Sequence, residues 1–279
     1  MATAAETRSM PKKAPRSKGA LTLVPVAWPT LALTAFALLG WLFAFVGVMD
    51  HRLSLFISLP LASWCAFAAF TPMHDASHRS VTRKRWPNEV VGRLCSIVLT
   101  APFPAFRHVH LTHHKHTNDP VKDPDFWSGR GPKWLLPLRW LTQDFHYYVV
   151  YARAGRPRKE LVETVSTLVL IYGLIITLVV AGHGTEVALA WLIPARLAIG
   201  FLAFSFDYLP HRPHQITSKE DRYKATTLRP SGWMTPLLMF QNYHLIHHLY
   251  PAVPFYRYAK VWRERREQLL AKGAVVKGH

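Results

Sequence analysis

Arg107-His108-Val109-His110-Leu111-Thr112-His113-His114-Lys115-His116-Thr117-Asn118 carries five histidines within nine positions. Two shorter clusters repeat the theme, His74-Asp75-Ala76-Ser77-His78 and His244-Leu245-Ile246-His247-His248. His211 and His214 stand in Asp207-Tyr208-Leu209-Pro210-His211-Arg212-Pro213-His214, and these four places together hold twelve of the 16 histidines. Residues three and four apart on a helix share a face. His74 and His78 are spaced i, i+4. His110, His113 and His114 are spaced i, i+3, i+4, and His244, His247 and His248 repeat that pattern. The spacing predicts that each cluster aims its two or three imidazoles at one point. Eight such ligands exceed the four of a tetrahedral zinc site and suit two metal ions sharing a pocket, and imidazole-rich open sites accept iron.

The frame around the histidines is apolar. Half of the 279 residues are hydrophobic, enough for one large domain. Four segments, 29–48, 53–73, 161–181 and 187–206, approach the ~20 residues that a bilayer demands. Only Asp50-His51-Arg52 separates the first two, and Gly182-His183-Gly184-Thr185-Glu186 the last two, so each pair reads as a helical hairpin. The 34 Lys and Arg outnumber the 16 Asp and Glu, for a net charge of +18. Apart from Arg52 and Arg196, every cation lies in the N-terminal tail, in 74–160 or after 206. By the positive-inside rule those segments, both termini and all the clustered histidines face the cytoplasm of the inner membrane.

The expected fold is therefore an all-α integral membrane protein. Four transmembrane helices form two hairpins, and a cytoplasmic helical cap carries the histidines. Residues 1–19 read as a disordered basic tail, 20–272 as a single domain and 273–279 as a C-terminal tail. The topology accounts for the basic charge without nucleic acid, leaving membrane lipids as the bland partner. Cys65 and Cys95 lack CxxC spacing and read as buried small side chains. A metal transporter would line its spans with ionisable residues. Here only Arg196 lies deep in one, with Glu163 at the edge of another.

Ligating histidines need an acceptor for their second nitrogen. Asp75, beside His74, and Asp119, Asp123 and Asp125, after the second cluster, are candidates for that role. His108, His116 and His214 read as supporting or structural rather than ligating. The amides of Asn118, Asn242 and Gln241 could orient ligands. The run Val90–Phe106, interrupted by Arg93, Pro102 and Pro104, is too broken to span and reads as interfacial. Tyr258 to Lys272 reads as a charged, solvated helix.

The boxes HDxxH, HxxHH and HxxHH, in that order around paired membrane segments, resemble the membrane fatty acid desaturase–hydroxylase superfamily over about residues 70–260. The resemblance implies a non-haem di-iron oxidoreductase that uses O2 as co-substrate. It implies His74, His78, His110, His113, His114, His244, His247 and His248 as iron ligands, with His211 as a ninth. Stearoyl-CoA-type relatives carry Asn where Asp207 stands, so Asp207 joins the metal shell directly, through water, or not at all.

HLTHHKHTNDPVKDPDFW (110–127), FDYLPHRPH (206–214) and QNYHLIHHLYPAVPFYRY (241–258) are most similar to desaturase-like β-carotene hydroxylases. That similarity implies hydroxylation of the carotenoid β-ring at carbon three, giving β-cryptoxanthin and then zeaxanthin. Fatty acyl desaturation is the alternative, with carotenoid ketolation a lesser one. No ferredoxin-like cysteine set, haem site or GxGxxG is present, so an external donor is expected, with ferredoxin and its reductase as the implied source.

Overall fold

The computed structural model describes residues 19–22 and 24–278. The basic tail expected over 1–19 lies outside them, except for Gly19. In chain order the helices are α1 (Trp28–Met49), α2 (Leu55–Ser77), α3 (Arg85–Val98), α4 (Phe103–His116), α5 (Leu136–Leu141), α6 (Gln143–Arg153) and α7 (Arg158–Val180). A long composite helix α8 (Gly184–Tyr208) comes next, then α9 (His244–Leu249) and α10 (Tyr258–Ala271). The chain is all-α in class. Helices α1, α2, α7 and α8 are long and apolar enough to cross a membrane, and they coincide with the four segments read from the sequence.

Helix α2 is the centre of the packing. Its inner surface is built from small side chains (Ala62, Cys65, Ala66, Ala68, Ala69 and Ala76, all buried), so α1, α3 and α8 approach closely. The approach to α1 is tight enough that a Cβ on Gly40 would lie 2.7 Å from Cys65 Sγ. Both cysteines are free and buried. Helix α7 does the opposite: Val165, Val169, Leu170, Leu174 and Ile176 stay exposed, an apolar surface suited to lipid.

Two cations in apolar surroundings are matched by carboxylates. Arg196, within α8, makes a two-point ion pair with Asp144 of α6 at 2.5 and 2.9 Å. Arg93 of α3 bridges Glu89 at 2.6 Å and Glu163 of α7 at 2.7 Å. Neither is a stray charge along a transport path.

The interrupted run 90–106 is divided between α3 and α4, which meet at a bend of 104°. Pro102 and Pro104 explain the break, because proline disfavours helix in the residue before it and lacks an amide donor. Beyond the bend, α4 packs against α2, α6 and α7. Helix α8 contains two π-helical turns, at Ala188–Leu192 and Ala203–Tyr208. Each π turn inserts a residue and so rotates the side chains beyond it about the helix axis. The second carries Asp207 and delivers the chain to His211.

Two expectations need correction. Val275–Val276, placed in a C-terminal tail, instead pairs in parallel with Thr227–Leu228, and Lys277 N–H donates to the Leu228 carbonyl at 2.8 Å. Helix α10, read as solvated, buries Tyr258, Val261, Trp262 and Leu269 against α9. Its apolar positions recur at i, i+3, i+4 and i+11, a stripe that its many charges conceal.

Candidate metal centre

The structure gathers all nine histidines singled out from the sequence into two groups. His74, His78, His110, His114 and His247 form one, and His113, His211, His244 and His248 the other. Within each group one ring nitrogen per residue lies within 4.8 Å of all the rest. In the first, Nε2 atoms approach at 3.0 Å (His74–His247), 2.7 Å (His78–His110) and 2.7 Å (His114–His247). In the second the approaches are 2.8 Å (His211–His244), 3.0 Å (His244–His248) and 3.2 Å (His113–His248).

The boxes do not each serve one point, as their spacing had implied. His110 and His114 turn to the first group, while His113, between them, turns to the second. In the third box His244 and His248 turn to the second group and His247 to the first. The physical reason is angular. At about 100° per residue, i+3 and i+4 lie on opposite sides of residue i, so three rings can straddle two points.

These groups fit metal ions. Converging Nε2 atoms cannot all be satisfied by one another, since a neutral imidazole has one donor and one acceptor. A metal–nitrogen bond of about 2.0–2.1 Å would bring neighbouring ligand nitrogens ~2.9 Å apart, and the close approaches here are 2.7–3.2 Å. Burial, reinforced by neighbouring imidazoles, holds His110, His114, His211, His247 and His248 well below the ordinary imidazole pKa. Burial likewise lowers His78 to about 3. Neutral rings keep the lone pair that a metal requires.

The supporting contacts divide the remaining candidates. His113 Nδ1 lies 2.8 Å from Asp123 Oδ1 and 3.3 Å from Asp125 Oδ2. Burial would lower the His113 pKa, but these two carboxylates raise it to about 9. Asp123 also accepts from the Asn118 amide at 2.6 Å, so the backbone of Asn118 acts on the centre through Asp123. Asp119 instead caps its own loop, accepting from Val121 and Lys122 N–H. Two contacts were invisible in the sequence: Tyr258 OH lies 3.0 Å from His247 Nδ1, and Thr117 Oγ1 lies 3.5 Å from His248 Nδ1.

Other candidates lie elsewhere. Asp75 faces away from the imidazoles: it accepts from Thr30 Oγ1 at 2.8 Å and from Phe255 N–H at 3.3 Å, tying α1 and the loop before α10 to α2. Neighbours in a helix point about 100° apart, so adjacency to His74 carried no contact. The Asn118 side chain holds the Ile216 and Ala225 carbonyls, and Asn242 holds the Arg229 carbonyl and Thr235. The Gln241 side chain is buried without a hydrogen-bond partner among the described residues. His108 packs on Tyr151, and His214 on Phe126 and Tyr208. His116 lies among Lys115, Lys122 and Lys219, outside both groups. Asp207 is in neither group; its carboxylate lies 3.5 Å from Tyr147 OH.

Comparison with known proteins places this centre. The profile of the family described as fatty acid desaturase matches residues 50–278, which include every histidine of both groups. The chain belongs to the fatty acid desaturase family. A β-carotene ketolase of Paracoccus sp. (strain PC1) is 33% identical over 241 residues, covering 81% of this chain and 89% of the ketolase. An sn-1 oleoyl-lipid 12-desaturase of Picosynechococcus sp. is 27% identical over 274 residues, covering 85% of this chain and 75% of the desaturase. A dihydrorhizobitoxine desaturase of Bradyrhizobium elkanii is 27% identical over 230 residues, covering 71% and 63%. The chain is accordingly an oxidoreductase of the di-iron type.

This desaturase-family chain has an apolar pocket against its metal centre. Phe70, Met73, Leu99, Phe106, Ile199, Leu202 and Phe206 line it, and His110 of the first group closes one side. Phe70 stacks on His74 with centroids 5.7 Å apart, and Phe206 meets His244 edge-on at 4.5 Å. The aromatic wall of the pocket is thus also the wall of the imidazole cluster. Gln143, Asp144, Tyr147 and Asp207 also line it.

Proposed function

We propose that the chain is an O2-dependent di-iron hydroxylase of a carotenoid β-ring, inserting oxygen at carbon three. The observation that carries the reading is an apolar pocket with His110 in its wall, one of five imidazoles in a group that lies beside a second group of four. The pairing of DYLPHRPH with QNYHLIHH supports the carotenoid class, as does the 33% identity to a β-carotene ketolase. His74, His78, His110, His114 and His247 would hold one iron, and His113, His211, His244 and His248 the other. With O2 and two electrons from an external donor, a bound iron pair supplies the oxidation of an unactivated C–H bond. The overall change is R–H + O2 + 2 e⁻ + 2 H⁺ → R–OH + H2O.

The chain's own residues set the outcome. Asp123 accepts from His113 Nδ1 and thereby turns its Nε2 inward. Tyr258 and Thr117 fix the rings of His247 and His248 in the same manner. Phe70, Phe106 and Phe206 exclude water and confine the hydrocarbon, since only a carbon held close to the centre reacts. We place the basic segments and the centre on the cytoplasmic side of the inner membrane, where a soluble donor such as ferredoxin has access.

A second reading is desaturation of a lipid acyl chain, favoured by the resemblance to sn-1 oleoyl-lipid 12-desaturases over 85% of the chain. Pigment and fatty-acid analysis of a β-carotene-producing bacterial host expressing the chain separates the readings. β-Cryptoxanthin and zeaxanthin are expected. Ring ketones would move the chemistry to carbon four. Unchanged carotenoids with a new acyl double bond would replace the proposal by the second reading.

A further inference from the structure

Besides His110 and Tyr148, the polar side chains that line the pocket are Gln143, Asp144, Tyr147 and Asp207. Two of these side chains are committed elsewhere. Tyr147 OH donates to Asp125 at 2.6 Å, and Asp144 is held by Arg196. Gln143 is not. It is 3% exposed, yet neither its amide nitrogen nor its amide oxygen has a hydrogen-bond partner among the described residues. The amide lies within reach of a weak hydrogen bond to the Tyr147 hydroxyl, short of the geometry of a full one. Buried polar atoms are nearly always paired, and pairing both ends of the amide with full geometry here requires a group brought in from outside.

We propose that Gln143, with Asp207, recognises an oxygen substituent on the substrate. The pocket would then prefer a β-ring that already bears a hydroxyl over an unsubstituted one. The fit is one of donors and acceptors. The Gln143 amide offers one of each, and the Asp207 carboxylate is a second acceptor. A hydroxyl both accepts and donates, so it pairs with the amide nitrogen and with either oxygen. A hydrocarbon ring leaves the Gln143 amide without a full partner, and sites built to bond a substrate hydroxyl discriminate against analogues lacking it. This inference rests on the carotenoid reading and narrows its substrate.

The test is a competition in membranes containing the full chain. The substrates are β-carotene and a carotenoid carrying a hydroxyl at carbon four of one β-ring. The readout is the ratio of the two kcat/KM values. The wild type should favour the hydroxylated ring by about tenfold or more. Gln143→Met, similar in length and apolar, should bring the ratio toward one. Gln143→Glu, which keeps an acceptor for the hydroxyl, should retain a preference. A wild-type ratio at or below one overturns the inference and leaves the hydroxylase reading standing. So does an equal loss on both substrates in Gln143→Met, the mark of a merely structural residue. Failure of the wild type to convert either carotenoid would sink the carotenoid reading and this inference with it.

Discussion

Asp123→Asn tests the centre at its most connected support. The Asp123 side chain is 1% exposed and accepts three hydrogen bonds. Oδ1 takes His113 Nδ1–H at 2.8 Å and Asp125 N–H at 2.9 Å, and Oδ2 takes Asn118 N–H at 2.6 Å. An amide of the same shape must point its NH2 at one of these donors. Leaving a buried group unpaired costs roughly 1–3 kcal/mol of folding stability. Removing the acceptor that orients a ligating imidazole typically weakens metal binding by about 10–100-fold, or ~1.4–2.8 kcal/mol. Chelator titration of the purified, iron-loaded protein in detergent measures the second effect, with a thermal melt of the metal-free protein as control for the first. The chelator midpoint should fall by one to two decades for about half of the bound iron, because His113 serves only the second group. An Asn variant that holds both irons as tightly as the wild type refutes the assignment of Asp123.

Tyr258→Phe removes the hydroxyl 3.0 Å from His247 Nδ1 and should loosen the other iron by about tenfold in the same titration. Alanine at His113, His114, His247 or His248 should abolish turnover with membrane insertion retained; full turnover in any of them would remove that residue from the ligand set. His108→Ala should keep the full iron content, because its ring packs on Tyr151 outside both groups, and loss of iron on elemental analysis would count against that placement. Thr30→Val breaks the 2.8 Å bond to Asp75 and should lower the melting temperature by about 2–10 °C, corresponding to ~1–3 kcal/mol, with iron content unchanged. Glu89 titrates with a definite sign. Burial would raise its pKa, but hydrogen bonds and ion pairs from Arg93 and Arg107 hold it below the usual carboxylate value. Its stabilisation is therefore present above the unfolded pKa and is lost as pH falls through the folded one. A Glu89→Gln difference of at most about 1 kcal/mol at pH 7 should shrink below pH ~4.5, and a difference undiminished at low pH would contradict the pairing.

Hydropathy alone located the four long helices to within a few residues, because burying backbone in lipid demands an unbroken helical run of fixed length. Helical spacing likewise picked out eight of the nine imidazoles that converge, and the family resemblance added His211. Spacing says which rings share a side of one helix, and nothing about which neighbouring helix that side meets. The division into five and four, with His113 and His247 each crossing to the group opposite their own box-mates, therefore belongs to the tertiary structure. The supporting shell divided in the same way. Asp75 was a natural partner for His74 by adjacency, yet it bonds Thr30, 45 positions away, because adjacent helix residues point apart. Tyr258 and Tyr147 gave no sequence signal, since a buried tyrosine reads as core until its hydroxyl is seen against His247 or Asp125. Local periodicity determined the spans and eight of the nine converging imidazoles. Contacts between helices distant in sequence decided which imidazoles meet, what orients them, and which apolar surface became the pocket.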